Sequence, residues 1–326
     1  MRDVVRKTAK TQTMKKLISI ALFFWLAMAN AQDYVDLAGA YLRYAPMAQK
    51  KNYPEQYRTI QHVALEAKVP FILKNKNVFF IGTESSHMTL FNRIDMPNGG
   101  DIIIPDEYAF VNLQFGYQHN WNEKWQSTFV LVPKFISDMP TLFDGNHFQF
   151  GGVLLVNCKQ SENLTWRMGV YANKEFFGPL LSPSLGFYWK VNDKLQFDVN
   201  MMNRAFLYYR AHDRFWTGVG FRGGINSYGL SEEDVYLEKV DNNIFVFTDV
   251  FVTKNLVLNL RAGHSILRTY RYFPEDEKVD MKLALVNFGG NRTKYDGDIK
   301  DGLMFEVRLI FRYWLSKEEP ISKDLN

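Results

Sequence analysis

LMFEVRLIFRYWL, residues 303–315, is the stretch on which the reading of the fold turns. Leu303, Phe305, Val307, Leu309, Phe311, Tyr313 and Leu315 occupy alternate positions, and Glu306, Arg308 and Arg312 stand between them. Successive side chains of a strand point to opposite faces, so this period of two puts apolar groups on one side and charges on the other. Strands of soluble sheets usually run about 5 to 6 residues, whereas a strand tilted across a bilayer needs about 9 to 11. An unbroken alternation over 303–315 therefore predicts a membrane strand with overhang.

The same pattern recurs upstream. Val111, Leu113, Phe115 and Tyr117 alternate with Asn112, Gln114 and Gln118, and Leu164, Trp166, Met168 and Val170 alternate with Thr165, Arg167 and Tyr171. Leu185, Phe187 and Trp189 behave likewise, as do the segments beginning at Leu195 and Leu256. Short polar turns of one style separate them, at 74–77, 120–124, 159–163, 192–194 and 253–255, rich in Asn, Asp and Lys and each followed at once by Val, Trp or Leu. Asn and Asp tolerate left-handed backbone and bond their own chain, which suits tight hairpins. The remaining connections, 93–106, 138–146, 211–242 and 274–302, read as long and irregular. Short turns alternating with long loops is the asymmetry of an outer-membrane barrel. The prediction is an all-β chain folded as a transmembrane up-and-down antiparallel β-barrel of about 12 strands, with 10 or 14 allowed because the first strand alternates poorly and 282–288 has room for extra pairing. The expected spans are 33–45, 58–73, 77–92, 107–119, 124–137, 147–158, 164–177, 183–191, 194–210, 243–253, 255–272 and 303–315. Trp121, Trp125, Trp166 and Trp189 flank the short turns, and Tyr313 and Trp314 close the last strand, where a headgroup zone favours amphipathic rings.

Composition agrees. Aromatic residues make up 16% of the 326 residues while charged ones make up 23%, a balance that arises when apolar and polar positions alternate rather than accumulate in blocks. The one long apolar run, 17–29, follows Lys15 and Lys16 and ends in Ala29, Asn30 and Ala31, the three-part pattern of a secretory signal and too short to span a bilayer as a helix. Cleavage is expected after Ala31, with Met14 an alternative start, which divides the chain into 1–31, a barrel over 32–315 and a periplasmic tail over 316–326. Residues 1–31 hold six Lys or Arg and one Asp, so 33 basic and 34 acidic residues remain beyond them. The net charge of +4 thus belongs to the leader, and a nucleic-acid partner, which needs a basic patch on the folded domain, is not indicated. A single cysteine, Cys158, cannot form an internal disulfide.

In this register Glu66, Lys68, Arg167, Asp198, Arg204, Asp249, Arg261, Glu306, Arg308 and Arg312 fall on polar faces and are expected to form a charge network in the lumen. Two readings follow. Charges inside a narrow barrel are paired and fill it, or they line a narrow channel with a mild preference for anions. Catalysis has thin support: Ser85 and His87 share a strand face whereas Ser86 and His87 do not, and His264 lies beside Ser265, but none matches a nucleophile motif. Six histidines, at 62, 87, 119, 147, 212 and 264, show no ligand spacing. No enzyme activity, cofactor or metal is expected.

The signal at 14–32, the Asn and Lys turns followed by Trp or Leu, and the aromatic last strand resemble the outer-membrane β-barrel proteins of Bacteroidota-type bacteria, in particular an uncharacterised family of barrels built on a domain of unknown function. The resemblance is one of pattern and spans the whole chain after the leader. It implies residence in the cell outer membrane among lipid, and insertion by the barrel-assembly machinery through an aromatic terminal signal that Phe311, Tyr313 and Leu315 fit, although a tail follows them here. It implies a structural barrel or a narrow passive pore for small solutes. The chain also shares size and signal with the barrel-like membrane component of the gliding-associated secretion system, which implies a scaffold binding periplasmic or secretion-system proteins, but that family's N-terminal Asn-Pro motif is missing. A lipid-modifying outer-membrane enzyme is the third reading.

Overall fold

The computed structural model describes residues 34–50, 56–95, 101–201, 203–231, 234–294 and 299–315. The expected leader over 1–31 and tail over 316–326 lie outside the described residues. Fourteen strands close into one antiparallel barrel: β1 (Tyr34–Gln49), β2 (Gln56–Ile72), β3 (Val78–Asp95), β4 (Asp101–Asn120), β5 (Trp125–Asp138), β6 (Phe148–Lys159), β7 (Leu164–Glu175), β8 (Gly178–Lys190), β9 (Leu195–Asn200), β10 (Arg204–His212), β11 (Phe215–Gly229), β12 (Val235–Phe251), β13 (Leu256–Pro274) and, after a small hairpin of β14 (Met281–Leu283) and β15 (Val286–Phe288), β16 (Leu303–Trp314). Each barrel strand pairs with its neighbour in sequence, and β1 closes the cylinder on β16.

The backbone of the short turns is repetitive. Leu73 N–H donates to Asn77 O, Trp121 to Trp125, Gln160 to Leu164, Val191 to Leu195 and Val252 to Leu256, at 2.8 to 3.1 Å. One polar side chain completes each loop from within: Asn122 Oδ1 accepts from Lys124 N and Trp125 N, Asn192 Oδ1 from Lys194 N and Leu195 N, all at 2.9 Å, and Thr253 Oγ1 from Leu256 N at 3.0 Å. These are the Asx and ST turns that the composition predicts.

The two faces of the wall are inverted relative to a soluble protein. Along β16, Leu303, Phe305, Val307, Leu309 and Phe311 are 46 to 54% exposed, while Glu306, Arg308 and Arg312 are at most 3% exposed. Leu113, Phe115, Tyr117, Trp166, Leu185, Ile244 and Val246 are exposed in the same outward register. Such a surface is stable only against an apolar solvent, so the burial pattern defines a membrane-spanning barrel. Trp121, Trp125, Trp166 and Trp189 are exposed near the short turns. Trp314 is different: it points inward, packs edge-on against Tyr34 at 5.5 Å and donates from Nε1 to Lys254 O at 2.7 Å.

Fourteen strands is one of the counts the sequence allows beside about twelve, and two local features supply the added pair. The span read as 194–210 is two strands, β9 and β10, broken at 201–203, where Asn203 N–H donates to Asn200 O. The span read as the loop 211–242 contains all of β11 and the start of β12. β11 escapes pattern recognition because Gly218, Gly220, Gly223 and Gly224 erase its alternation. Packing requires glycine at Gly220, where a Cβ would meet the Phe245 ring at 2.5 Å and the Phe206 ring at 3.0 Å. The connection read as 93–106 is also mostly strand, since β3 runs to Asp95 and β4 begins at Asp101. The 282–288 region does pair, as the β14 and β15 hairpin, whose β14 lies parallel to β8.

β9 and β10 are only 6 and 9 residues long, between neighbours of 13 and 15. Pairing across β10 ends with Arg204 opposite Arg222, and pairing of β8 with β9 ends at Gly186. Beyond that level the last turns of β11 are held by β12 alone on one side, and they lean across the lumen until Gly229 forms a parallel bridge with Ser137 of β5.

Candidate functional site

The interior of the short-turn half is a charged layer arranged as three linked groups. In the first, Glu306 accepts from Arg43 at 2.8 Å and lies 3.1 Å from Arg261 Nη1 and 3.3 Å from Arg308 Nη1, while Arg308 Nη2 reaches Glu66 at 2.5 Å. Gly39 makes room for this contact, since a Cβ there would stand 2.8 Å from Glu66 Oε1. In the second, Arg312 bridges Asp36 at 2.7 Å and Asp249 at 3.2 Å, and Asn259 links Asp249 to the Nε of Arg261. In the third, Asp198 accepts from Arg167 at 2.5 Å and Arg204 at 3.2 Å. Buried charges are tolerated in this form, each beside a group of opposite sign.

The ten sequence-predicted residues thus fall into these groups, except Lys68, whose ammonium sits 4.8 Å from the centre of the Phe80 ring and meets no carboxylate among the described residues. Sequence reasoning missed Asp36, Arg43, Glu84 and Arg222. Asp36 precedes a register shift between 36 and 38 that breaks the alternation of β1, and Arg222 lies among the glycines of β11. Arg43 and Glu84 were accessible in principle, since Leu42 and Tyr44 beside the first, and Ile81 near the second, face outward.

Within this layer lies a cavity of about 310 Å3. Six cationic side chains (Lys68, Arg204, Arg222, Arg261, Arg308, Arg312) and five carboxylates (Asp36, Glu66, Glu84, Asp198, Asp249) line it, so neither sign dominates. At the short-turn end Tyr34, Trp216, Phe251, Val257, Ile310 and Trp314 pack together on one side of the lumen.

The other half is closed by apolar and aromatic side chains that meet across the lumen. Tyr108 of β4 and Tyr228 of β11 are seven strands apart in either direction, yet their ring centres are 5.5 Å apart. Tyr108 Oη lies 3.0 Å from Tyr272 Oη of β13. These residues belong to one cluster with Ile60, Leu90, Ile136, Leu237, Phe245, Tyr270 and Met304, drawn from nearly every side of the barrel. Above it, Ser137 Oγ donates to Gly229 O at 2.9 Å, and Glu175 accepts from Lys134 Nζ at 2.8 Å and from Ser227 N and Oγ at 3.0 and 2.6 Å. The β14 hairpin is pinned to the rim by Glu238, which accepts from Lys282 at 2.7 Å and Arg292 at 2.9 Å. Burial pushes the Lys282 ammonium below its usual range, against the opposing pull of Glu238.

Ser85 and His87 share the outward face of β3, as the strand period requires. Ser86 is buried on the inward face while His87 lies on the other side and contacts Glu107 at 3.6 Å; the Nδ1 of His264 lies 2.6 Å from Ser265 O. Among the described residues no three His, Cys, Asp or Glu gather as a metal site, and no described helix is long and apolar enough to cross a membrane.

An inverted wall, a charge-lined interior and the pairing of β1 with β16 place the chain in the class of closed fourteen-stranded β-barrels. The profile described as "Domain of unknown function (DUF6268)" matches residues 31–279, and the chain belongs to that family. No curated protein matches it. Among solved structures, the NanC porin is 10% identical, with 84% of this chain and 98% of that one aligned and a TM-score of 0.33. A TodX monoaromatic hydrocarbon channel variant is 10% identical over 87% and 90%, with a TM-score of 0.37, and a bacterial polysaccharide outer membrane secretin is 11% identical over 85% and 99%, at 0.28.

Proposed function

We propose that the protein is a non-enzymatic outer-membrane β-barrel of a Bacteroidota-type bacterium, with its short turns in the periplasm, serving as a structural barrel whose lumen is closed to free solute flow in the form described here. One observation carries this reading: Tyr108 of β4 and Tyr228 of β11 touch where β11 has crossed the lumen to bridge β5. A passive pore needs a continuous wet path, and these contacts interrupt it. Phe311, Tyr313 and Leu315, at the end of β16, remain the proposed signal for the barrel-assembly machinery.

The test is current through planar bilayers containing the purified chain. The wild type is expected to give no steady conductance, and the double variant Tyr108→Ala/Tyr228→Ala is expected to give intermittent steps. Ohmic channels from the wild type would overturn the closed reading in favour of a narrow pore.

A scaffold is the second reading, favoured by apolar side chains exposed beyond the barrel at the end opposite the short turns: Phe143, Leu285, Val286 and Phe288. Exposed apolar groups outside the lipid belt mark contact surfaces. Co-purification from mild detergent extracts that is lost on Phe143→Ser and Phe288→Ser exchange supports a scaffold, and an unaccompanied barrel counts against it.

A further inference from the structure

The cavity in the charged layer has a polarity that its ion pairs do not consume. Glu66 of β2 stands directly opposite Glu84 of β3, and Arg204 of β10 directly opposite Arg222 of β11. All four line the same cavity. Like charges directly opposite across a strand pair destabilise a sheet, and here the two repulsive pairs sit on walls six strands apart and carry opposite sign.

Their partners cover only half of each wall. Glu66 is taken by Arg308 and Arg204 by Asp198. Glu84, which is hydrogen-bonded to the Asn112 side chain, and Arg222 have no group of opposite charge within salt-bridge distance among the described residues, and the Nε of Arg204 is buried without a hydrogen-bond partner. One carboxylate without an ionic partner, Glu84, and two such cations, Arg222 and Lys68, the latter over the Phe80 ring, thus face a shared space of about 310 Å3.

We propose that this chamber binds a small zwitterionic solute of the amino-acid or dipeptide class, with its carboxylate on Arg222 and Arg204 and its ammonium on Glu84 and Glu66. Guanidinium groups receive carboxylates through paired N–H donors. A simple anion placed on the arginines would face two glutamates, and a simple cation placed on the glutamates would face two arginines. A molecule carrying both charges relieves both repulsive pairs at once. The proposal rests on the closed-barrel reading above, in which the chamber retains its solute instead of conducting it.

Saturation-transfer NMR on the full chain in detergent, with L-alanine and L-alanyl-L-alanine as probes of two lengths, tests it. At least one of the two is expected to bind, and propionate and ethylamine at least tenfold more weakly. Arg222→Gln and Glu84→Gln are each expected to weaken the zwitterion at least tenfold, in barrels that still shift mobility on boiling and so are folded. Equal binding of propionate, unchanged by Glu84→Gln, would make this an anion site and overturn the proposal. So would no saturation transfer to any probe from a folded barrel. Bilayer conductance, measured separately, reports failure of the closed-barrel reading and leaves the binding result to stand or fall by itself.

Discussion

At the short-turn end, β9 and β10 fill the wall between β8 and β11, and the interior is wide enough for a charged chamber of about 310 Å3. Past Asn200 and Arg204 those two strands have stopped, and β11 crosses to β5. The same cylinder is therefore wide and lined by charges in one half, and in the other is filled by an aromatic and aliphatic cluster with a buried polar network above it. The difference teaches that lumen width here is set by the length of two strands. A barrel keeps its diameter only while every strand has two partners; remove them locally and the freed edge finds pairing elsewhere. What each half can bury follows from that. The wide half holds arginines, most of them paired with carboxylates, and the narrow half holds tyrosines and aliphatic side chains that touch their counterparts, with the Lys134–Glu175 ion pair above them.

This contrast makes graded predictions. The largest effect is expected from Glu306→Ala in the charged half, which leaves Arg43, Arg261 and Arg308 without their shared carboxylate; breaking a buried ion pair costs about 3–5 kcal/mol. Denaturant unfolding in detergent or lipid vesicles measures it, and a change below about 1 kcal/mol would mean that water in the chamber already screens these charges. Next is Leu309→Arg on the outward face of the same strand, expected to destabilise by about 2–4 kcal/mol in lipid because the charge enters the hydrocarbon. Tyr108→Phe in the narrow half removes only the hydroxyl contact to Tyr272 and is expected to cost about 0.5–1.5 kcal/mol. A loss as large as that of Glu306→Ala would erase the distinction between the halves. Smallest is Asn192→Ala, which frees two backbone N–H groups at an exposed turn and is expected to cost about 1 kcal/mol or less in the same unfolding measurement.

The barrel was legible in the sequence wherever side chains carried the signal. β16 announces itself through Leu303 to Phe311 set against Glu306, Arg308 and Arg312, and the hairpins through Asn122, Asn192 and Thr253. Two strands were hidden where side chains are absent or the break is short: β11 because glycine clears space for Phe206, Phe245 and Phe247, and the β9 and β10 boundary because only three residues, Met201 to Asn203, separate two alternating runs. The charged residues could be assigned to a face, but not to partners. Arg43 meets Asp241 across 198 residues and Arg312 meets Asp36 across 276, and such pairs depend on where the cylinder closes. The contact of Tyr108 with Tyr228 depends besides on strand count, for which the sequence allowed 10, about 12 or 14.

The claim beneath all of this is that the apolar side of each strand faces lipid while the charged side faces the lumen. Single nitroxide labels placed in turn at residues 303–312, in a Cys158→Ser background reconstituted in vesicles, test it by collision with oxygen, which partitions into lipid, and with a water-soluble nickel chelate. Oxygen accessibility is expected to peak at 303, 305, 307, 309 and 311 and to fall at every residue between, with the nickel complex excluded from the odd positions nearest the bilayer centre. Free access of the nickel complex to Val307 and Leu309, or an oxygen maximum at Glu306 and Arg308, would contradict the account.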